Sequence, residues 1–414
     1  MNDSDGSSHR TIDAASGRRR SMVWLLVGIV LVAANLRAAL TGVGSLLPRI
    51  EVSTGLSSTW TGLLSTLPLL TFAATSPLVG RTAHRYGAPR ALVVSLAVLA
   101  AGLVMRSLPG VFFLFAGTVV IAAAIAYGNV LMPSVIKRTV PENRIGQATG
   151  LYVTAMSLLA ALSSGVSVPL AEHLPGGWRT ALGIWAVLAV LALAIWLPRY
   201  RRTGPMAAPP VARARIPWRS PLAWQVSVFM GLQSLGFYTM IAWLPSILHD
   251  HRVGEAAAGW QLFLFQMVGM VSSSALPILA RRVKDQRIQA AAGSVIVALG
   301  YVLLAVAPQL AVVSSVLIGL GGGACLVLAL SFQGQRAADP EQAAALASMA
   351  QSVGYLVAAA GPLLLGTLRD LTGSWTLPLL LLVALTLTQA AVGARAGRDL
   401  HLNSPSPAPV PIGD

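Results

Sequence analysis

Charge is the first thing this sequence is short of: only 10% of its 414 residues are charged, against roughly 25% in a soluble domain. A water-solvated surface around a core of this size is therefore excluded. Lysine is nearly absent. Lys137 and Lys284 stand alone, followed by Arg138 and Asp285. A phosphate-cradling Walker loop needs Gly-Lys followed by Ser or Thr, so direct ATP use by this chain is excluded. The single cysteine, Cys325, rules out an intrachain disulfide and reads as a small packed residue in an apolar span. The histidines, at 9, 84, 173, 249, 251 and 401, all fall outside span centres. No His-Glu-x-x-His, no Gly-x-Ser-x-Gly and no cluster of intramembrane carboxylates occurs, so the chain is not expected to be an enzyme or to carry a metal or cofactor. His249 and His251 fit a hydrated loop better than a surface metal site.

What the sequence has in abundance is apolar runs. It is 55% hydrophobic, and stretches of the roughly 20 apolar residues that cross a bilayer recur throughout. They fall at 22–47, 58–80, 89–107, 111–136, 146–171 and 178–198, then at 221–248, 256–280, 288–307, 310–333, 342–368 and 374–394. These runs are too long and too uniformly apolar for barrel strands. The reading is an all-α membrane protein with twelve transmembrane helices. Residues 1–21 form a polar tail expected to lack structure, 22–198 a first six-helix bundle, 199–220 an Arg- and Pro-rich linker, 221–394 a second bundle, and 395–414 a cytoplasmic tail that is Pro-rich and expected to lack structure over 403–414. The first run follows Arg18-Arg19-Arg20 but is long and lacks a small-residue cleavage site, so it reads as a retained helix.

The net charge of +15 suggests nucleic acid, but its distribution does not. With the N-terminus inside, 23 of the 29 Lys and Arg residues lie on the inner side and five, namely Arg49, Arg106, Arg179, Arg252 and Arg369, in outer loops. This is the positive-inside bias of a membrane protein. It places both termini in the cytoplasm and removes any need for a nucleic-acid partner; a monomer in the cell membrane is expected.

The halves superimpose at one offset of 197 residues without gaps. Pro48 falls on Pro245, Gly62 on Gly259, Arg85 on Arg282, Arg90 on Arg287, Gly176 on Gly373 and Trp178 on Trp375. Two similar six-helix halves form a transporter architecture with the solute site between them near mid-membrane.

The loop after the second span reads Gly80-Arg-Thr-Ala-His84-Arg85-Tyr86-Gly87-Ala88-Pro89-Arg90. It resembles the G-x-x-x-D-R-x-G-x-x-R signature of the major facilitator superfamily, with His84 in place of the usual Asp. With His84 the carboxylate of the ion pair attributed to that Asp is missing at this position; Gly80, His84, Arg85, Gly87 and Arg90 are the gating loop that the resemblance implies. Finer motifs resemble the cyanate and 2-nitroimidazole transporter branch. They include Asn35-Leu36-Arg37, Tyr127-Gly-Asn129, Gly231-Leu-Gln233-Ser234, Trp243-Leu-Pro245 and Gln351-Ser-Val-Gly354-Tyr355. The resemblance implies a secondary transporter whose first, fourth, seventh and tenth helices surround a central cavity.

The residues point to the same place. Arg37 lies about fifteen residues, or roughly 22 Å, into the first span. An arginine there costs roughly 2.5–3.5 kcal/mol and usually faces protein or water, although snorkelling to the outer surface is an alternative. Every carboxylate is in a tail, in a loop or at a helix end. The sequence therefore offers Arg37 carbonyls, amides, water or an arriving anion, and an anionic or planar substrate fits best. Ser234 occupies the matching position in the repeat, and Tyr238 is one turn further along the same face. Gln233, Asn35 and Asn129 add amides, with Gln266, Gln351 and Tyr355 as further inward candidates; any single amide fits a helix–helix hydrogen bond equally well. Trp243, like Trp260, lies near the outer interface and reads either as an anchor or, for Trp243, as a substrate contact. The glycines at 319–323 and at Gly146 and Gly150 read as close helix packing rather than phosphate loops. The rival readings are a broad drug exporter, disfavoured by an intramembrane arginine without a buried acid, and a non-transporting receptor or scaffold, disfavoured by short loops.

Overall fold

The computed structural model describes residues 5–200, 216–279 and 285–402. It is all-helical, with no strand among the described residues. The helices are α1 (Asp5–Thr54), α2 (Ser58–Tyr86), α3 (Ala88–Ser107), α4 (Val111–Thr139), α5 (Ile145–His173), α6 (Trp178–Gly183) and α7 (Ala186–Tyr200). After the linker come α8 (Pro221–Asp250), α9 (Glu255–Leu279), α10 (Arg287–Val306), α11 (Ala311–Gln335), α12 (Pro340–Thr372) and α13 (Thr376–Ala396). Ten stretches of the described residues are long and apolar enough to cross a membrane, with α6 and α7 together forming one of them. The two further helices, α2 and α9, have 29 and 25 residues. At 1.5 Å per residue they reach about 43 and 37 Å, more than the roughly 30 Å of a bilayer core. The protein is membrane-embedded and multi-pass.

Two features depart from the sequence reading, and a third adds to it. Helix α1 already begins at Asp5, because no proline interrupts the chain before Pro48 and the arginine run is compatible with helix. The sixth span is broken at Ile184–Trp185 into α6 and α7. The start of the last tail is docked: Leu402 is 5% exposed, and its amide donates to the Arg336 carbonyl at 2.8 Å. The rest of that tail, 403–414, lies outside the described residues.

Turns follow glycine chemistry. Gly87 ends α2 with φ +88°, a conformation that side chains with a Cβ rarely adopt, and this accounts for the glycine of the loop motif. Gly176 and Gly373, matched at the 197-residue offset, have φ of +91° and +64°. Their following tryptophans, Trp178 and Trp375, are each 6% exposed. The repeat seen in the letters is thus a repeat in backbone conformation and burial.

The chain forms two compact units. The first holds residues 1–209 with 240–267 and 362–371, and the second holds 210–239, 268–361 and 372–414. The division does not follow the linker, because the C-terminal end of α8, the N-terminal part of α9 and the last turns of α12 pack with the first helices.

In the first unit α1 and α5 meet along a hydroxyl seam. The Thr41 hydroxyl donates to the Ala160 carbonyl (2.7 Å), Ser45 to Ser164 (2.7 Å) and Ser163 to Ala38 (2.7 Å). Gly42 sits where a Cβ would strike the Ser163 and Ser167 hydroxyls. Lipid gives helices no hydrophobic reason to associate, so small residues and hydrogen bonds of about 0.6 kcal/mol each carry the contact. Arg106, placed in an outer loop by sequence, is instead fully buried in the last turn of α3. Its guanidinium donates to the Ala39 carbonyl of α1 (2.7 Å) and the Leu182 carbonyl of α6 (3.5 Å). The Trp196 indole of α7 donates to the Gly28 carbonyl of α1 at 3.1 Å.

In the second unit Phe229, Met230, Ala290, Cys325, Leu328, Phe332, Met349 and Leu402 share a core. Cys325 is fully buried, 3.5 Å from the Ser294 hydroxyl. Gly321 and Gly323 of α11 serve packing, since a Cβ at Gly321 would strike the Gly293 carbonyl and one at Gly323 the Gly269 carbonyl, whereas a Cβ at Gly322 meets nothing within 4 Å. Gly150 departs from expectation: a Cβ there meets nothing within 4 Å. Arg336, 2% exposed, closes this core by donating to the Ala396 and Gly397 carbonyls at 3.1 and 3.0 Å. It thereby caps the negative end of the α13 dipole.

Candidate functional site

In the first unit the candidate site is built on α1. Arg37 is half-buried on this helix, between the fully packed Leu36 and Ala38. Its carbonyl accepts from the Thr41 hydroxyl (3.2 Å), which also bonds across to α5. Arg37 interacts electrostatically with Tyr152 of α5, a residue that sequence reasoning missed. Asn35 is buried, and its amide donates to the Leu31 carbonyl of its own helix at 2.8 Å. Asn129, half-buried, is carried by α4 beside Gly128. Gly128 packs directly on Leu36, since a Cβ there would collide with that leucine side chain. Asn129 is thereby brought close to the level of Arg37. On the same helix the Tyr127 hydroxyl is 3.0 Å from the Thr82 hydroxyl of α2.

Two other predicted residues of this unit sit in a closure at the ends of the helices opposite the N-terminus. Trp243 is fully buried and donates its indole N–H to the Pro362 carbonyl at 2.8 Å. At 0% exposure Trp243 meets neither lipid nor an open cavity in this conformation, so the burial favours neither the anchor nor the substrate-contact reading. Trp260 is exposed and packs edge-on against Phe263. Gln266 is buried and donates to the Ser164 hydroxyl at 2.9 Å, joining α9 to the α1–α5 seam.

The same closure brings backbones together at glycines. A Cβ on Gly44 would collide with the Ile241 carbonyl; one on Gly62 would lie 2.6 Å from the Pro362 carbonyl oxygen, and one on Gly259 would lie 2.9 Å from that of Ser164. Gly62 falls on Gly259 at the repeat offset, and Gly165, whose carbonyl oxygen a Cβ on Gly259 would meet at 3.7 Å, falls on Pro362, so the two glycines make matching approaches within one residue. Beyond them, Arg49 of α1 forms ion pairs with Glu172 of α5 (2.7 Å) and Glu255 of α9. Arg369 pairs with Asp250 at 2.6 Å. Asp370 accepts from the Ser58 and Thr59 amides at 3.0 and 2.7 Å, capping the N-terminus of α2. Glu51 accepts from the Thr61 hydroxyl at 2.6 Å.

The remaining candidates belong to the second unit. Gln233 and Ser234 are buried neighbours on α8, with the Ser234 hydroxyl donating to the Gln233 side-chain oxygen at 3.3 Å. Tyr238 is half-buried with its ring edge-on to Phe237. Gln351 and Tyr355, both half-buried, lie on α12, which packs on α8 through Gly231 against Val357 and Gly354 against Met230. Of the gating loop, Gly80 lies in α2 and Gly87 caps it, Arg85 stacks over Tyr86 at 5.3 Å, and Arg90 is exposed. The side chain of His84 lies outside the described residues. In the matching loop Asp285 accepts from Arg287 at 2.7–3.0 Å, and these bonds hold its carboxyl below the usual carboxylate range.

Residues 23–362 match the family model of the Major Facilitator Superfamily. The chain belongs to this superfamily. It is 44% identical over 378 residues to the uncharacterized transporter YycB of Bacillus subtilis, covering 91% of this chain and 94% of the relative. It is 43% identical over 386 residues to the 2-nitroimidazole transporter of Escherichia coli, covering 93% and 97%. The cyanate transport protein CynX of Escherichia coli is 30% identical over 361 residues, with 85% and 91% covered. These relatives place the chain in the cyanate and 2-nitroimidazole transporter branch, as a secondary transporter and not an enzyme. Among solved structures, an occupied, inward-facing bacterial homologue of the human lysosomal transporter Spinster superimposes with a TM-score of 0.75 at 15% identity, over 91% of this chain and 96% of the other. That likeness concerns the fold.

Proposed function

We propose that this chain moves a small planar or anionic solute across the cell membrane by alternating access, as a monomer with both termini in the cytoplasm. The observation that carries this reading is Arg37: a permanent cation held half-buried well inside α1, beside the α1–α5 seam. A guanidinium presents a planar fork of donors that matches an oxyanion or a nitro group. Cyanate is such an anion and 2-nitroimidazole such a planar solute, and the relatives named for them extend over nearly the whole chain. With this topology, the closure around Gly44, Gly62 and Gly259 is the outer gate in its shut state. Residues 22–198 rock against 221–394 to open it, and the gating loop of Gly80 to Arg90 works at the inner face.

The test is uptake by the purified chain in proteoliposomes, with labelled cyanate, 2-nitroimidazole, a neutral dye and a cationic dye as probes. Movement of the planar or anionic probes and not of the dyes is expected; dye transport alone would overturn the substrate class. Single cysteines at the outer and inner mouths should change their labelling in opposite directions when a transported probe is added. Parallel changes at both mouths would overturn alternating access.

A further inference from the structure

The hydrogen bonds between α1 and α5 fix their register. Thr41 to Ala160 and Ser45 to Ser164 both join residues 119 apart in sequence. The two helices therefore run parallel, with each α1 residue level with the α5 residue 119 positions later. At that register Arg37 is level with residue 156, and Tyr152 lies one helical turn of about 5.4 Å toward the N-terminal ends. Both side chains are long enough to bridge a single turn. Tyr152 is 7% exposed and interacts electrostatically with Arg37. Among the described residues its hydroxyl makes no hydrogen bond, yet it is not one of the buried polar atoms left without a partner. The ring is packed, and no described residue hydrogen-bonds the hydroxyl at its tip.

We propose that Tyr152 contacts the substrate, its phenol O–H and the Arg37 guanidinium together donating to one planar, oxygen-bearing end of the solute. A guanidinium alone attracts any anion. A second, neutral donor one turn away favours a head group whose acceptors are spaced to meet both, and it discriminates against ions that satisfy the charge but not the spacing. The proposal rests on Arg37 being the substrate cation. Neither group is consumed or changes protonation in this role. The polar seam at Thr41, Ser45, Ser163 and Ser164 holds the two carrier helices at fixed height, so the spacing of the donors is set by the fold.

The experiment compares wild type, Tyr152→Phe, Arg37→Lys and Arg37→Ala in full-length protein, with cyanate, 2-nitroimidazole and chloride as probes. Concentration-dependent thermal stabilisation gives affinity, and proteoliposome uptake gives KM and maximal rate. Tyr152→Phe removes one oxygen and preserves the packed ring. For the preferred planar probe it should raise KM and the apparent dissociation constant about tenfold, as expected for one hydrogen bond to a charged or strongly polar group, with maximal rate kept within about twofold. Chloride competition should be unchanged. An unchanged KM with a fallen rate or expression level would assign Tyr152 a packing role and overturn the proposal. If Arg37→Ala loses binding while Tyr152→Phe keeps it, this proposal fails and the assignment of Arg37 stands. If Arg37→Ala also binds normally, or no planar probe stabilises wild type, the functional reading fails with it.

Discussion

Arg37 and Arg106 both belong to helices of the first unit, and they differ in kind. Arg106 is wholly buried, and its guanidinium ends on two main-chain carbonyls, tying α3 to α1 and α6. Arg37 is only half-buried, on a helix face beside the tyrosine of α5. By depth alone Arg106 is the more unusual residue. By surroundings it is a clamp, because carbonyls belonging to helix backbones cannot leave, and no ligand need arrive to satisfy them. An arginine that keeps surface at mid-span remains open to a solute. Burial of a charge in a membrane helix therefore does not by itself mark a transport site; the surface it keeps is what a solute needs.

The largest expected effect lies on the Arg37 side of this comparison. Arg37→Ala should reduce uptake of the transported probe by at least about 100-fold with normal membrane expression. Arg37→Lys should retain the charge but lose the planar fork, with an intermediate loss of about tenfold. Normal transport by Arg37→Ala would erase the distinction. Arg106 should respond in the opposite sense. Arg106→Ala leaves a cavity and orphaned carbonyls, and should destabilise the protein by about 2–5 kcal/mol while leaving KM unchanged in the folded fraction. Arg106→Met fills most of the space without a charge and should recover much of that loss, as buried ions often can be replaced. Thermal unfolding in detergent with parallel uptake measurements separates the two arginines; a raised KM for Arg106→Met would make it a substrate residue after all.

How much of this was legible in the sequence depends on what each residue's signal is made of. The spans were, because about 20 apolar residues are a local property. So was the duplication, since Gly176 and Gly373 must both adopt positive φ and leave a trace in the letters. Arg37 stood out because charge is rare in a span. The depth of Arg106 was hidden because one arginine at a helix end looks the same whether it turns to solvent or inward. Tyr152 was hidden for a related reason: it lies five residues inside the span that begins at Gln147, where an aromatic has the signature of an interface anchor. A helix apolar all round carries no stripe to tell its protein-facing side from its lipid-facing side. The closure at Arg49 joins residues as many as 206 positions apart, and nothing local specifies such a pair.

A smaller effect is expected where the first unit closes on itself. Gly62→Ala and Gly259→Ala place a methyl 2.6 and 2.9 Å from the carbonyl oxygens of Pro362 and Ser164. These contacts are too short to keep, so the closure must loosen. A cysteine reporter at Ser45 should become several-fold more reactive to a membrane-impermeant maleimide in either variant, with little change in total expression. The two glycines are symmetry mates, so similar increases are expected. Exchange of Glu255 for Gln should loosen the closure less, since partly exposed ion pairs contribute about 1 kcal/mol or less each.

The smallest effect is expected from the acids at that same end, and it bears on what drives transport. Among the described residues, the carboxylates there are Glu51, Glu172, Asp250, Glu255 and Asp370, and none is wholly removed from solvent or from a polar partner. Glu51 accepts a hydroxyl hydrogen from Thr61, an interaction that a glutamine side-chain oxygen can also accept. Movement of one negative charge into a cell opposes the membrane potential by about 2.3 kcal/mol per 100 mV. Uncoupled movement of a monoanion thus runs outward, and entry requires consumption inside or a proton carried on the solute as the neutral acid. If coupling does not pass through a fixed carboxylate, Glu51→Gln and Asp250→Asn should leave uptake within about twofold. The flux should respond to an imposed potential with no pH gradient present. Proteoliposomes with potential and pH gradient imposed separately provide the measurement. Proton-driven accumulation that disappears in Glu51→Gln alone would overturn this expectation and make the α1 carboxylate, about four turns beyond Arg37 on the same helix, the coupling group.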